Sequence, residues 1–240
     1  MLQTRTANSR LADIHTHILP GMDDGAKTTE ESIRLLVKLS RQGVTDVVFT
    51  PHFDISKESV EAFCQRRQES FELLCQELKL IGYGENLSLH LGAEVMYDPN
   101  LVYADIEKLR IGNTSYLLME LTGSYPFNLD NTLNYVFSKG MIPILAHIER
   151  YNYLCTDAKL LERLIDDGVV MQCNASALFS RRYSTILKKL IKRGYVHLLA
   201  SDTHSVEKRP PMLGDALKKL KKHSEYLITN SAKVIEDKLV

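Results

Sequence analysis

A chain of 240 residues fits one large barrel-type domain or two small ones. Apolar residues at 44% and charged residues at 25% match ordinary globular averages, which excludes a low-complexity or mostly disordered chain. Lys plus Arg and Asp plus Glu number 30 each, so no net positive field favours nucleic acid or an anionic membrane.

In chain order, the opening segment MLQTRTANSR is polar and lacks the apolar core of a secretory signal; residues 1–10 are expected to be an N-terminal extension. No apolar run approaches the ~18–20 residues of a membrane-spanning helix, so a cytoplasmic location without membrane insertion is expected. Candidate strands follow at Leu11–His15, Asp46–Thr50, Leu87–Glu94, Ser115–Leu121, Ile142–His147, Val169–Asn174 and Val196–Ser201. Helical patterns lie between them near residues 28–42, 57–81, 130–139, 157–167 and 184–193, with two more helices after the last strand. The first has apolar Ile33, Leu36, Val37 and Leu39 on one side and acidic Glu30 and Glu31 in its first turn, where the helix dipole favours them. Gly43, Gly140, Gly168 and Gly194 each stand between a helix and a strand, as left-handed C-terminal caps do.

Alternating strands and helices with short connections imply a parallel α/β sheet. Seven such units without a composition break predict a single domain over 1–240, closed as a (β/α) barrel; an open doubly wound sheet is the competing architecture. No GxGxxG or GxxxxGKS loop is present. The four cysteines form no CxxC pair. A cysteine-nucleophile phosphatase needs an arginine six positions on, and this chain has Ser70, Ile81, Leu161 and Phe179 there. That chemistry is excluded.

Metal-ligand residue types fall at the strand ends. His15 and His17 are two apart, so both imidazoles project to one side of a strand. The loop after them, Pro20-Gly21-Met22-Asp23-Asp24-Gly25, offers a carboxylate. The next strands end in His52, Glu94, Glu120 and His147, and the seventh in Asp202 and His204. Six of seven predicted strands thus carry His, Asp or Glu at the C-terminal end, and the sixth carries Asn174. In a barrel those ends form one ring, where barrel enzymes place their chemistry. One such residue alone is usually structural; recurrence in phase is not.

Nine ligands (His15, His17, Asp24, His52, Glu94, Glu120, His147, Asp202, His204) suit a cluster of two or three divalent ions, with Glu94 bridging. The absence of thiolates argues against structural zinc, and Mn²⁺, Fe²⁺ and Zn²⁺ all accept this ligand set. Arg150 and Arg209 follow ligand-bearing strands closely, and guanidinium matches phosphate oxygens in parallel, which makes them a candidate phosphate clamp rather than surface ion-pair residues. His90, with the parity of Glu94, is expected in the core or behind the ligands; His197 is expected to be structural and His223 solvated. The basic runs near 188–193 and 218–222 read as solvated helix faces. Tyr125-Pro126-Phe127 offers an apolar rim for an aromatic substrate or, equally, a loop anchor.

The runs DIHTHILPGMDDGAKTTEES, TPHF, GAEVMYDP, MELTG, ILAHIERY, NASAL and SDTHS, in order from about residue 11 to 212, resemble the bacterial capsule-type tyrosine-protein phosphatases of the PHP (polymerase and histidinol phosphatase) superfamily. The resemblance implies a distorted (β/α)7 TIM-like barrel with three ions, commonly manganese. It also implies hydrolysis of phosphotyrosine on a bacterial tyrosine autokinase that controls capsular or exopolysaccharide synthesis. Carried over by position, His15, His17, Glu94 and Asp202 hold one ion; Glu94, Glu120 and His147 a second; Asp24, His52 and His204 the third. The choice of Asp24 over Asp23 rests on the family pattern alone, as does the match of Arg150 and Arg209 to phosphate-contacting arginines. The expected chemistry is in-line attack by a metal-activated hydroxide, with a phenolate of pKa about 10 leaving more readily than an alkoxide. Alternatives are a phosphatase for small monoesters of the histidinol-phosphate type and a non-catalytic metal-stabilised scaffold. A nuclease is disfavoured by the zero net charge. The oligomeric state stays open.

Overall fold

Thr28 caps the first helix, its side chain accepting from the Glu31 N–H, and Lys38 and Arg41 fill the last turn. That helix, α1 (Thr29–Arg41), buries Leu35, Leu36 and Leu39, each contributing about 1.5–3 kcal/mol of apolar burial. It follows β1 (Ala12–Thr16) and precedes β2 (Asp46–Phe49) and β3 (His52–Phe53). Next come α2 (Val60–Leu80), β4 (Ser88–Leu91), β5 (Glu94–Met96), β6 (Tyr116–Glu120), α3 (Leu129–Ser138) and β7 (Ile142–Leu145). The chain ends through α4 (Asn152–Thr156), α5 (Ala158–Asp166), β8 (Val170–Asn174), α6 (Ser184–Lys192), β9 (Leu198–Ala200), α7 (Leu213–Leu220) and α8 (Ser224–Ile235). This computed structural model describes residues 10–240, so nine residues of the expected N-terminal extension lie outside it.

All strand pairs are parallel, in the orders β1-β2-β4 and β3-β5-β6-β7-β8-β9. The ring closes where Asp202 N donates to His15 O and His17 N to Thr203 O, both at 2.9 Å. The architecture is therefore a closed barrel and not an open doubly wound sheet. Two of its seven staves are broken. The predicted strand at Asp46–Thr50 resumes after Pro51, which has no N–H to give a ladder, and the one at Leu87–Glu94 breaks at Gly92-Ala93. His52 and Glu94 consequently open new short strands, paired with each other, rather than ending long ones. The short helix α4 was not expected from the sequence; five residues are too few to show a helical period. The four cap glycines do take positive φ, from 67° to 92°.

Two apolar layers hold the barrel. The larger packs α-helical residues such as Leu35, Leu74, Leu133 and Leu187 against Val47, Leu117 and Leu145. The smaller draws on alternate residues of the strands, among them Ala12, Ile14, Val48, Tyr116, Leu118, Ile144, Val170, Leu198 and Ala200, and fills the interior. Val234 of α8 joins that interior layer, while Ser231 accepts from Ala12 N and the Tyr116 hydroxyl accepts from Leu239 and Val240 N. The same alternation carries past the apolar layer to polar residues: Leu118 leads to Glu120, Val170 to Gln172 and Asn174, and Ala200 to Asp202.

His90 corrects its sequence expectation. Paired in register with Val48 of the interior layer, it places Nε2 3.0 Å from Asp46 Oδ1 with its ring half-buried, so it is neither a fully buried core residue nor a neighbour of the ligands. Glu94 is paired in register with Leu118 of that same layer, so the two residues keep one parity across the break at Gly92-Ala93. His197 is structural as expected, accepting from Met171 N at 2.9 Å.

Asp46 also accepts from Arg10 at 2.5 and 2.8 Å and from Thr45 at 2.9 Å. Burial alone would raise this carboxyl, and His90, Arg10 and Thr45 outweigh it, holding it well below the usual range. A depressed carboxyl stabilises the fold above its unfolded value near 3.9 and loses that contribution as pH falls toward the folded value. Asp46→Asn is expected to cost about 1–3 kcal/mol near neutrality. The melting-temperature gap to the parent should narrow between about pH 5 and pH 2; a gap constant over that range would contradict the assignment.

Candidate metal centre

The strand ends converge as their phase predicts. His15 Nε2 and His17 Nε2 are 3.2 Å apart. Glu94 Oε2 lies 3.3 and 3.2 Å from them, and Asp202 Oδ1 3.5 and 3.4 Å. Such separations suit ligands about 2.0–2.1 Å from one common centre. Glu94 reaches further: its Oε1 is 2.8 Å from His147 Nε2, and its Oε2 is 2.9 Å from His52 Nδ1. Glu120 Oε1 stands 3.3 Å from His147 Nε2. On the other side Asp24 Oδ1 is 3.2 Å from His204 Nε2 and 3.4 Å from His52 Nε2.

Three groups of side chains could hold an ion: His17, Asp24, His52 and His204; His15, His17 and Asp202; and His52, Glu94 and Glu120. His52 belongs to two of them, whereas the family resemblance places it with Asp24 and His204 alone. Its Nδ1 faces Glu94 and its Nε2 faces Asp24. Sequence spacing carries no information about which ring nitrogen faces which neighbour. The donor set fits a cation on a further count. Glu94 Oε2 and His204 Nε2 are buried, and among the described residues none of the neighbours within 3.5 Å meets either of them at hydrogen-bonding angles. Buried lone pairs left without donors are costly unless something electrophilic meets them.

The electrostatics agree. Burial pushes the Glu94 carboxyl up, but His15, His147 and His17 outweigh it and hold it well below the carboxylate range. Asp202 is likewise held down, burial being outweighed by His15 and His17. Burial would lower His147, yet Glu120 and Glu94 lift it to about 9. The carboxylates therefore demand positive charge in their midst, and a divalent cation would meet that demand with the imidazoles neutral.

Neighbouring groups aim the ligands. Asp23 Oδ2 sits 2.6 Å from His17 Nδ1 and accepts from His52 N at 3.0 Å, which turns His17 Nε2 inward. The two adjacent aspartates thus divide: Asp24 faces the cluster and Asp23 braces it. Gly25 lets their loop lie against β1, since a Cβ there would stand 2.0 Å from His17 O. Gln172 Oε1 accepts from His147 N at 2.8 Å and lies 3.3 Å from His15 Nδ1; its amide donates to Asn174 Oδ1, and Asn174 Nδ2 donates to Asp202 Oδ2 at 2.6 Å. Tyr151 Oη is 3.3 Å from His147 Nδ1. Nothing in the sequence singles out Gln172 or Tyr151, since amides and phenols lack a ligand signature. His147 and Asp202 take left-handed φ of 35° and 50°, strain that clusters at functional sites.

Arg150 Nη2 and Arg209 Nη2 donate to the same oxygen, Asp202 Oδ2, at 2.6 and 2.7 Å. Both guanidiniums line an open cavity of about 610 Å³, together with Asp24, His52, Glu94 and Glu120. Met22 and Met96 supply apolar wall. Arg66, which sequence spacing left unnoticed on a helix face, also lines it, bonded to Glu58 at 2.6 Å and to Met22 O at 3.1 Å. Tyr125 and Phe127 are not among the residues lining the cavity; Tyr125 packs edge-on to Tyr153, and Phe127 is 84% exposed.

A closed parallel barrel that gathers imidazoles, carboxylates and two arginines at one mouth defines a metal-dependent hydrolase of the barrel class. The family described as capsular polysaccharide synthesis, CpsB/CapC, matches residues 11–236, and the chain belongs to it. Tyrosine-protein phosphatase CpsB of Streptococcus pneumoniae is 32% identical, covering 96% of this chain and all of its own. Tyrosine-protein phosphatase YwqE of Bacillus subtilis is 29% identical over 94% of this chain and 91% of its own. A solved chain described under crystal structures of YwqE from Bacillus subtilis and CpsB from Streptococcus pneumoniae, unique metal-dependent tyrosine phosphatases, superposes with a TM-score of 0.85 at 25% identity, covering 95% of this chain and 95% of that one. The fold is accordingly the distorted PHP-type barrel.

Proposed function

We propose that this protein is a metal-dependent protein-tyrosine phosphatase acting on a phosphotyrosine protein, a bacterial tyrosine autokinase of capsule or exopolysaccharide synthesis, in the cytoplasm. The whole chain, 1–240, is read as one catalytic domain with a short N-terminal extension. One observation carries this: ligand atoms of His15, His17, Glu94 and Asp202 within 3.5 Å of His15 or His17, opening on a cavity that two arginines share. His15, His17, Glu94 and Asp202 would hold one ion, Glu94, Glu120 and His147 a second, and Asp24, His52 and His204 a third, with Mn²⁺ the favoured metal and Fe²⁺ or Zn²⁺ compatible. Bound there, the ions would polarise phosphoryl oxygens and make a nucleophile of water at neutral pH.

The chain's own residues do the rest. Arg150 and Arg209, held by Asp202 Oδ2 and lining the cavity, are placed to neutralise charge developing on the phosphoryl group. Met22 and Met96 bound the space beside them, suited to an aromatic ring. A phenolate with pKa about 10 leaves without a strong general acid.

Chelation is expected to abolish turnover of an aryl phosphate and Mn²⁺ to restore it. Thiol alkylation should leave the rate unchanged, because all four cysteines are free and none lines the cavity. A chelated enzyme at full rate would refute the proposal. Phosphotyrosine peptides should exceed small alkyl phosphates in kcat/KM; the reverse order would assign the site to small monoesters.

A further inference from the structure

Arg67 is a buried cation without a counter-charge. Its side chain lies on α2, the residue is 8% exposed, and among the described residues no carboxylate stands within ion-pair distance of it. Its neighbour Arg66, by contrast, pairs with Glu58. The Arg67 Nε is buried and has no acceptor among the described residues. Burying a guanidinium in this way is costly, so what it holds must offset the cost.

It holds two backbone carbonyls. Nη1 donates to Gly92 O at 2.6 Å and Nη2 to Lys108 O at 3.0 Å, while the guanidinium lies 5.3 Å from the centre of the Phe63 ring. Gly92 sits in the break between β4 and β5, where the chain leaves one ladder and enters the next, two residues before Glu94. Lys108 belongs to the 3₁₀ turn Ile106–Leu109, a few residues before β6. The planar fork therefore ties α2 to the connection that delivers Glu94 and to the turn beside it. Glu94 tolerates little displacement, since its Oε1 faces His147 at 2.8 Å while its Oε2 faces His52, His15 and His17 at 2.9–3.3 Å. A carboxylate serving two groups of ligands at once must be placed to a fraction of an ångström.

We propose that Arg67 is a positioning residue for Glu94, acting through the carbonyl of Gly92. The proposal rests on the metal-centre reading above. A lysine would keep the charge but, as a single point donor, would not span both carbonyls; a methionine would keep only the apolar stem.

The test compares the parent with Arg67→Met and Arg67→Lys, all at a temperature where circular dichroism shows each folded. Divalent-ion affinity is read by competition with a chromophoric chelator using Mn²⁺, and kcat and KM are read with an aryl phosphate at saturating metal. Expected are a loss of metal affinity on the order of 10–100-fold in Arg67→Met, an intermediate loss in Arg67→Lys, and a lowered kcat with little change in KM. Variants that melt lower but bind Mn²⁺ and turn over as the parent does would overturn the positioning role, leaving Arg67 a packing residue. Should Arg67→Met fail to fold, Arg67→Lys decides alone, and parental affinity there also overturns it. A parent protein without affinity for divalent ions would overturn the centre itself, and the positioning role with it.

Discussion

Glu94→Gln is expected to reduce kcat by on the order of 10³-fold or more, since losing one well-placed hydrogen-bond donor in a transition state already costs about 10²–10³. The residue is 1% exposed, and its two oxygens face four imidazoles at 2.8–3.3 Å. The amide keeps the size but removes the charge that those imidazoles surround, and it turns one oxygen into a donor aimed at ring nitrogens. Two ion sites should weaken together, so elemental analysis should show less bound metal per chain, not a single vacancy. The fold should survive, because the carboxylate belongs to neither apolar layer. Parental metal content with parental kcat would remove Glu94 from the centre.

The second large effect is Arg209→Ala. Here turnover should fall by about 10²–10³ while metal content stays at the parental level. The separation follows from Asp202, which turns Oδ1 to the histidines and Oδ2 away from them. Without Arg209 that outer oxygen still accepts from Arg150 at 2.6 Å and Asn174 at 2.6 Å, so the ligand keeps its orientation. What disappears is a guanidinium at the cavity wall. Metal content falling in step with kcat would show that Arg209 serves Asp202 and not the phosphoryl group.

The convergence of these side chains was legible because strand geometry is local. Residues two apart project to one side, so His15 and His17 announce a shared target. The recurrence of His, Asp and Glu at successive strand ends announces a ring once the strands close. Breaks in the staves were legible only as single letters: Pro51 marks one and Gly92 the other, and neither says that the strand resumes at once on a different ladder. For that reason Glu94, the first residue of β5, reads from the sequence as a strand terminus.

From the order of its residues alone, this protein's barrel class and the residue types gathered at its mouth were determined, because these depend on periodicity and on side-chain chemistry. The tertiary structure alone decided that Asp23 braces His17, that His52 presents a nitrogen to each side, and that both arginines share one oxygen of Asp202. It alone brought Gln172 and Tyr151 against His147, and Arg67 against the carbonyl of Gly92. Those facts turn on rotamers and on contacts between segments far apart in the chain, and no local pattern encodes a distance across a closed ring.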